Sequence, residues 1–374
     1  MQGRKSLYFA GSSVLAATVL SIFLHSSLSS PNLYSDIGSF WGRDWIRAGL
    51  FPNLSQNTFF EYPPLASYFL YFARAVGGSY DGYYAVFSVL SLCTAVGIGW
   101  SSWRLAKALG RELNPVYFIL PSMVVYGLYS FDLFNAFLIV LSLQFFVEGK
   151  KTASGIALAL AVSTKLVGIL LLPIFLMGMN GSRRRRRYLL VVAIVVLLTY
   201  APFLILNFGY FSQFLSFFRT WGLEDAWYVW IFQNPATWGY AKAFGLGLTC
   251  LLLFFVYTRR LEVTTKSFLA LSAYLVGTYL YAPQFSLMLI PLVAVLDLRN
   301  PAVFFWDAFN VLIILTWFGV SNPTMAGTLP QAVALIRTGM LAVMMAALLK
   351  SNGVWFPPRF HLGGGKVEKP SDLL

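Results

Sequence analysis

Residues 153–187 read ASGIALALAVSTKLVGILLLPIFLMGMNGSRRRRR, an apolar run interrupted by Lys165 and followed by five consecutive arginines. Read as one helix, the run crosses a membrane once and leaves Arg183 to Arg187 on the outer side. Lys and Arg collect in the cytoplasmic loops of membrane proteins. The run is therefore expected to form two short helices that reverse at Thr164 and Lys165, returning the arginines to the cytoplasm. This reversal sets the topology of everything around it.

The composition makes a membrane the right frame. Of 374 residues, 58% are hydrophobic and only 11% are charged, against about 25% charged in a soluble domain. Mean hydropathy is +0.69. So little charge cannot cover a water-exposed surface, which excludes a secreted enzyme, a disordered chain and a disulfide scaffold. The net charge of +13 marks the cytoplasmic face rather than a nucleic-acid partner, because no stretch is long and polar enough for a soluble binding domain. Cys93 and Cys250 lie inside apolar runs and are expected to be buried free thiols. The run Leu7 to Leu24 follows Arg4 and Lys5 but lacks a small-residue cleavage pattern, so it is expected to remain as a first helix.

Working outward from 153–187, the fold class is an all-α polytopic bundle of about 12 transmembrane helices. Candidate spans lie near 7–26, 82–104, 115–129, 132–148, 153–164, 166–180, 188–206, 236–257, 267–282, 284–297, 303–320 and 329–349. Both termini are then cytoplasmic, and 20 of the 27 Lys and Arg face that side. One domain, 1–350, precedes a Gly-rich tail, 351–374, expected to be flexible, whose Arg359, Lys366 and Lys369 are placed to meet anionic lipid headgroups. Two outer segments are long, 27–80 and 207–235, the first expected to carry interfacial helices.

Half of the 14 acidic residues fall on that outer side: Asp36, Asp44, Glu61, Asp81, Asp132, Glu224 and Asp225. In a chain so poor in charge, this clustering points to a site at the outer boundary of the bilayer, unless loops are simply where charge is tolerated. At helical spacing Asp36, Phe40, Arg43 and Arg47 share one face, and Trp41 and Trp45 a neighbouring one. Asp36 is either a helix cap or a general base that takes a proton from an attacking hydroxyl. In Phe60-Glu61-Tyr62-Pro63-Pro64 the prolines start a helix, leaving Glu61 and Tyr62 at the membrane edge within reach of a sugar. Asp132 is a cap or a site residue, with Asn135 near it, and Asp81 reads as a cap. Lys165 either snorkels to the interface or meets an anion such as a phosphate. The segment 208–238 is crowded with aromatic residues and reads as an amphipathic cover on the membrane. Within it Arg219 meets a phosphate or anchors the interface.

Other chemistries lack their residues. No Walker lysine, G-x-S-x-G elbow or Cys/His metal spacing occurs, and His25 and His361 are isolated. Neither a soluble nucleotide-sugar domain nor a histidine relay is expected. No cofactor is called for, and no metal.

The order Tyr34-Ser35-Asp36 beyond the first span, Glu61-Tyr62-Pro63-Pro64-Leu65, Asp132 between spans, and Lys165 followed by Leu170-Leu171-Leu172-Pro173 resembles the polytopic, lipid-phosphosugar-dependent glycosyltransferases of the GT-C class. It is most similar to glycosyltransferase family 87, which includes polyprenyl-phosphate-mannose-dependent mannosyltransferases. It is more distantly similar to the first mannosyltransferase of GPI-anchor synthesis, whose Asp-x-Asp becomes Asp36-Ile37-Gly38 here. The resemblance covers 1–180, carried by the order and spacing of these motifs, and later only the hydrophobic layout and the loose turn Ala282-Pro283-Gln284. It implies that Asp36 is the base of an inverting transfer; Arg43, Asp44, Glu61, Tyr62, Asp132, Lys165, Arg219 and Gln284 are the candidate substrate-binding residues. The implied donor is mannose on a polyprenyl or dolichyl phosphate, and the acceptor a glycan or glycolipid at the extracytoplasmic or luminal face. A transporter or flippase of lipid-linked sugars is the rival from another class. It needs ionisable groups near the bilayer midplane, whereas here they gather at one face. A non-catalytic membrane scaffold is compatible with the aromatic loops but is not demanded by them.

Overall fold

The structure is a computed structural model that describes residues 2–29, 32–55 and 57–354. Nearly all of the tail discussed above, with Arg359, Lys366 and Lys369, lies outside the described residues. The helices are α1 (Gln2–His25), α2 (Asp36–Trp41), α3 (Asp44–Arg47), α4 (Pro64–Gly77), α5 (Tyr80–Ala108), α6 (Pro121–Tyr126), α7 (Asp132–Val147) and α8 (Lys151–Thr164). They continue as α9 (Leu171–Met177), α10 (Ser182–Leu206), α11 (Gly209–Thr220), α12 (Trp238–Thr258), α13 (Val263–Gly277), α14 (Ile290–Leu296), α15 (Ala302–Trp317) and α16 (Leu329–Ser351). Among the described residues, the one β contact is a single bridge between Glu224 and Leu280. This all-α answer is what lipid requires, since a helix satisfies its own backbone where water is absent.

Each of the twelve expected spans contains helix, but among the described residues only five helices are long and apolar enough to cross a membrane alone: Leu7–His25, Tyr80–Ala108, Ser182–Leu206, Pro235–Thr258 and Leu329–Ser351. The others are shorter or broken. The stretch 115–129 is a 3-10 turn, Pro115–Ile119, followed by α6, and 284–297 is a 3-10 turn, Pro283–Met288, followed by α14. Most residues of α7, α13 and α14 are buried in the bundle. A helix shielded by neighbours need not match the hydrocarbon thickness by itself.

The chain reverses at Lys165. α8 ends at Thr164, Lys165 is extended, and a 3-10 turn over Leu166–Leu170 leads into α9. Gly168 packs against Ala161 and Val162 of the last turns of α8. Phe175 of α9 stacks on Phe146 at the far end of α7, with ring centroids 4.5 Å apart. α9 thus runs back to the Phe146 end of α7, and Arg183 to Arg187 begin α10 at the end of the bundle away from Lys165.

Helix ends divide the molecule by charge. Tyr83, near the start of α5, donates to the Ile37 carbonyl at 3.0 Å. α5 spans 29 residues, roughly 43 Å at about 1.5 Å per residue. Its other end carries Arg104, paired with Glu148 at 2.8 Å, and the turn beyond it carries Arg111, paired with Glu262 at 3.9 Å. One end of the bundle is therefore basic, and the other holds α2, α3 and the loops that follow. Small residues allow close packing between: a Cβ added at Gly99 of α5 would sit 3.0 Å from the Gly11 Cα of α1.

The corner between α4 and α5 is tighter still. A Cβ at Gly82 would meet the Gly77 carbonyl oxygen at 2.0 Å, so backbone must move to admit it. Gly82→Ala is expected to destabilise the protein by at least about 1–3 kcal/mol, the usual cost of overpacking, read as a lower midpoint of thermal unfolding in detergent. Cys93 and Cys250 are free but exposed on the outside of the bundle rather than buried. Their apolar neighbours face lipid as readily as core, so hydropathy alone could not separate the two.

Candidate active site

The stretch from Asp36 to Arg47 is two short helices and not one. α2 ends at Trp41, the chain turns at Gly42 and Arg43, and α3 starts at Asp44. The continuous face expected for Asp36, Phe40, Arg43 and Arg47 is therefore broken. Ser35 caps α2 by accepting from the Gly38 N–H at 3.1 Å, which leaves the Asp36 carboxylate free for other partners. Ser79, not Asp81, likewise caps α5. Asn53, in the left-handed region at φ 61°, accepts from the Phe60 N–H at 2.6 Å and donates to the Phe60 carbonyl at 2.9 Å. This clamp sets the extended run that delivers Glu61 and Tyr62 ahead of the α4 prolines. It also commits the buried side-chain amide of Asn53.

Asp36 and Tyr62 line a cavity of about 720 Å³. The Tyr62 hydroxyl donates to Asp36 Oδ2 at 3.2 Å and shares a 3.0 Å hydrogen bond with Ser130 Oγ. Asp132 and Lys165 are on the same wall: Lys165 Nζ donates to Asp132 Oδ1 at 2.6 Å, and both side chains are buried. Asp132 has no capping bond of its own, and Lys165 does not snorkel away. The ammonium lies 5.4 Å from the Tyr62 ring and 4.1 Å from the Phe285 ring, a cation–π setting. One of its three N–H donors serves Asp132, which leaves two for another anion.

Arg43 and Glu61 pair through two bonds of 2.8 and 2.6 Å, the fork geometry that favours arginine for carboxylate. The guanidinium lies 5.1 Å from the Phe40 ring and 5.5 Å from the Phe60 ring. Arg43, Glu61 and Gln284 all border the cavity. Asp44 and Arg219 do not. Asp44 pairs with Arg47 on the exposed side of α3, because the break at Gly42 turns that helix away. Arg219 projects from the outer side of α11, while Phe214, Phe217 and Phe218 of the same helix line the cavity.

Three groups that the sequence reading left without roles also border it: Trp221, Glu224 and Asp225. Behind Asp225 lies the fully buried Arg337 of α16, which donates to Asn310 Oδ1 at 3.0 Å, to the Tyr281 carbonyl at 2.8 Å and to the Asp225 carbonyl at 3.3 Å. The available signal was the one that drew attention to Lys165, a lone charge in an apolar helix.

Burial dominates the electrostatics. It pushes Asp36 up to about 7; the Lys165 ammonium opposes this, the Asp132 carboxylate reinforces it, Tyr62 lowers it through its hydrogen bond, and Glu224 adds a smaller upward push. Burial likewise raises Asp225, to about 8, against the pull of Arg337, and raises Glu224 against the Trp221 hydrogen bond. A carboxyl poised near neutrality, beside a cation, on the wall of a largely apolar cavity is suited to accept a proton from a hydroxyl. The aromatic and aliphatic lining suits a lipid, and Lys165 an anionic group on it.

A known family matches the chain. Residues 59–278, more than half of the chain, match the family model described as Glycosyltransferase family 87. The matched stretch contains Glu61, Tyr62, Asp132, Lys165 and Glu224, and Asp36 lies just upstream of it. No curated protein matches the chain.

Proposed function

Because the chain belongs to glycosyltransferase family 87, it is a membrane glycosyltransferase, and we propose that it moves mannose from a polyprenyl or dolichyl phosphate to a glycan or glycolipid hydroxyl at the extracytoplasmic or luminal face. The observation that carries this reading is the juxtaposition of Asp36, Tyr62 and the Lys165–Asp132 pair in one cavity that is otherwise mainly apolar. In the transfer, Asp36 takes the proton of the acceptor hydroxyl as its oxygen attacks the anomeric carbon. The bond from that carbon to the phosphate oxygen breaks on the opposite face, and the lipid phosphate leaves with the electron pair. Lys165 stabilises the charge that develops there, in surroundings where a placed cation acts strongly. Arg43 and Glu61 border the same space and are assigned to sugar or phosphate contacts, with Gln284. No metal-activated water enters such a step.

Purified protein given a radiolabelled polyprenyl-phosphate mannose and a panel of glycolipid acceptors is expected to transfer label. A protein that hands no label to any acceptor, yet moves the donor between the leaflets of a vesicle, supports the flippase instead. Orientation is tested in intact cells after replacing Cys93 and Cys250 with alanine. An impermeant maleimide is expected to label Asn32→Cys, beside the cavity end, and to spare Arg183→Cys at the basic end. The reverse pattern inverts the topology.

A further inference from the structure

Trp221 and Glu224 sit where the second outer segment meets the cavity, and both border it. The indole N–H donates to Glu224 Oε2 at 2.9 Å. Among the described residues the other carboxylate oxygen has no hydrogen-bond partner, and the residue is only partly buried. The backbone beneath is held from several directions. Glu224 accepts from the Tyr281 N–H and donates its own N–H to the Tyr279 carbonyl, each at 2.9 Å. The Lys242 ammonium of α12 bonds the carbonyls of Arg219, at 2.8 Å, and of Trp221 at the end of α11. The Tyr279 hydroxyl donates to the Phe218 carbonyl at 2.9 Å. A helix that merely rests on lipid needs no such anchoring. A recognition element does, because side chains ordered before binding lose less entropy on binding.

We infer that Trp221 and Glu224 form a pyranose-binding subsite, the indole ring packing on the C–H face of the sugar and the open carboxylate oxygen accepting from its hydroxyls. An aromatic face combined with a fixed carboxyl acceptor suits a ring that is apolar on its faces and hydroxylated at its rim. Asp36 lines the same cavity from the first outer segment, so a sugar held here lies between the two outer segments. The subsite deepens the function proposed above and rests on it for the identity of the sugar's carrier. The pyranose belongs either to the lipid-phosphate donor or to the acceptor.

The test uses the full-length protein in detergent and three variants, Glu224→Gln, Trp221→Phe and Trp221→Ala. Glu224→Gln is isosteric and still accepts from the indole, so its unfolding midpoint is expected to match the wild type. Equilibrium binding is read with radiolabelled methyl mannoside, glucoside and galactoside and with polyprenyl-phosphate mannose. Glu224→Gln is expected to weaken the preferred pyranoside about 10- to 100-fold, as for a sugar hydroxyl left without its acceptor. Trp221→Ala is expected to weaken it at least as much, and Trp221→Phe less, since the ring remains. In transfer assays the same change is expected in KM with kcat little altered. A higher donor KM assigns the subsite to the donor sugar, and a higher acceptor KM to the acceptor.

Binding and KM within twofold of wild type for both Glu224→Gln and Trp221→Ala overturn the subsite while leaving a transferring wild type as the glycosyltransferase proposed. Pyranoside binding that depends on Glu224, in a protein that transfers nothing, upholds the subsite and removes the transfer reading. Absence of both binding and transfer in the wild type removes both.

Discussion

Asp36→Asn is expected to lower the rate of label transfer by about 10²–10⁴-fold, the contribution typical of a positioned general base. Asparagine keeps the size of the side chain and can still accept the 3.2 Å hydrogen bond from Tyr62. Its thermal unfolding should therefore match the wild type, so a loss of rate reports chemistry and not folding. The pH profile supplies an independent sign. A base works deprotonated, and burial holds Asp36 near a pKa of about 7. Wild-type kcat/KM is accordingly expected to rise tenfold per pH unit below about 7 and to level off above it. The residual activity of Asp36→Asn should lack that limb. Unchanged turnover in the variant would assign the proton transfer elsewhere.

Breaking the Lys165–Asp132 pair is the second large effect. Both side chains are buried, and the contact is 2.6 Å. Lys165→Met leaves the Asp132 carboxylate buried and unpaired, which costs about 3–5 kcal/mol. Among the described residues its other oxygen already has no hydrogen-bond partner. The variant is expected to unfold at lower temperature and to lose transfer. The groups that act on Asp36 predict a further shift: Lys165 pulls its pKa down, Asp132 and Glu224 push it up, and Tyr62 lowers it. Removing the cation moves the acid limb to higher pH in whatever activity remains. A double variant, Lys165→Met with Asp132→Leu, removes both charges and is expected to recover much of the unfolding midpoint but not the transfer. Recovery of turnover as well would make the pair a structural element only.

Much of this was legible in the residues. Charge scarcity and apolar runs require a helical membrane protein, because lipid offers the backbone no partners. The arginines at 183–187 require a reversal near Lys165, and the structure turns there with Phe175 returned to Phe146. Asp36, Glu61, Tyr62, Asp132, Lys165 and Gln284 could be singled out because a polar group in an apolar context is costly without a purpose. All six border one cavity.

What local pattern does not contain is direction and partnership across distance. Asp44 lies eight positions from Asp36, yet the turn at Gly42 and Arg43 points it to the exterior. Arg219 and Phe218 are neighbours in the chain, and only the docking of α11 decides that the phenyl ring meets the cavity while the guanidinium does not. Trp221 and Glu224 are held by Lys242, Tyr279 and Tyr281, contacts formed between residues 21 to 61 positions apart. Periodicity and composition act over a few turns of helix and so determined the class of fold and its charged poles. The site required side chains more than a hundred residues apart to share one desolvated volume, and burial there, not sequence position, sets the protonation of Asp36.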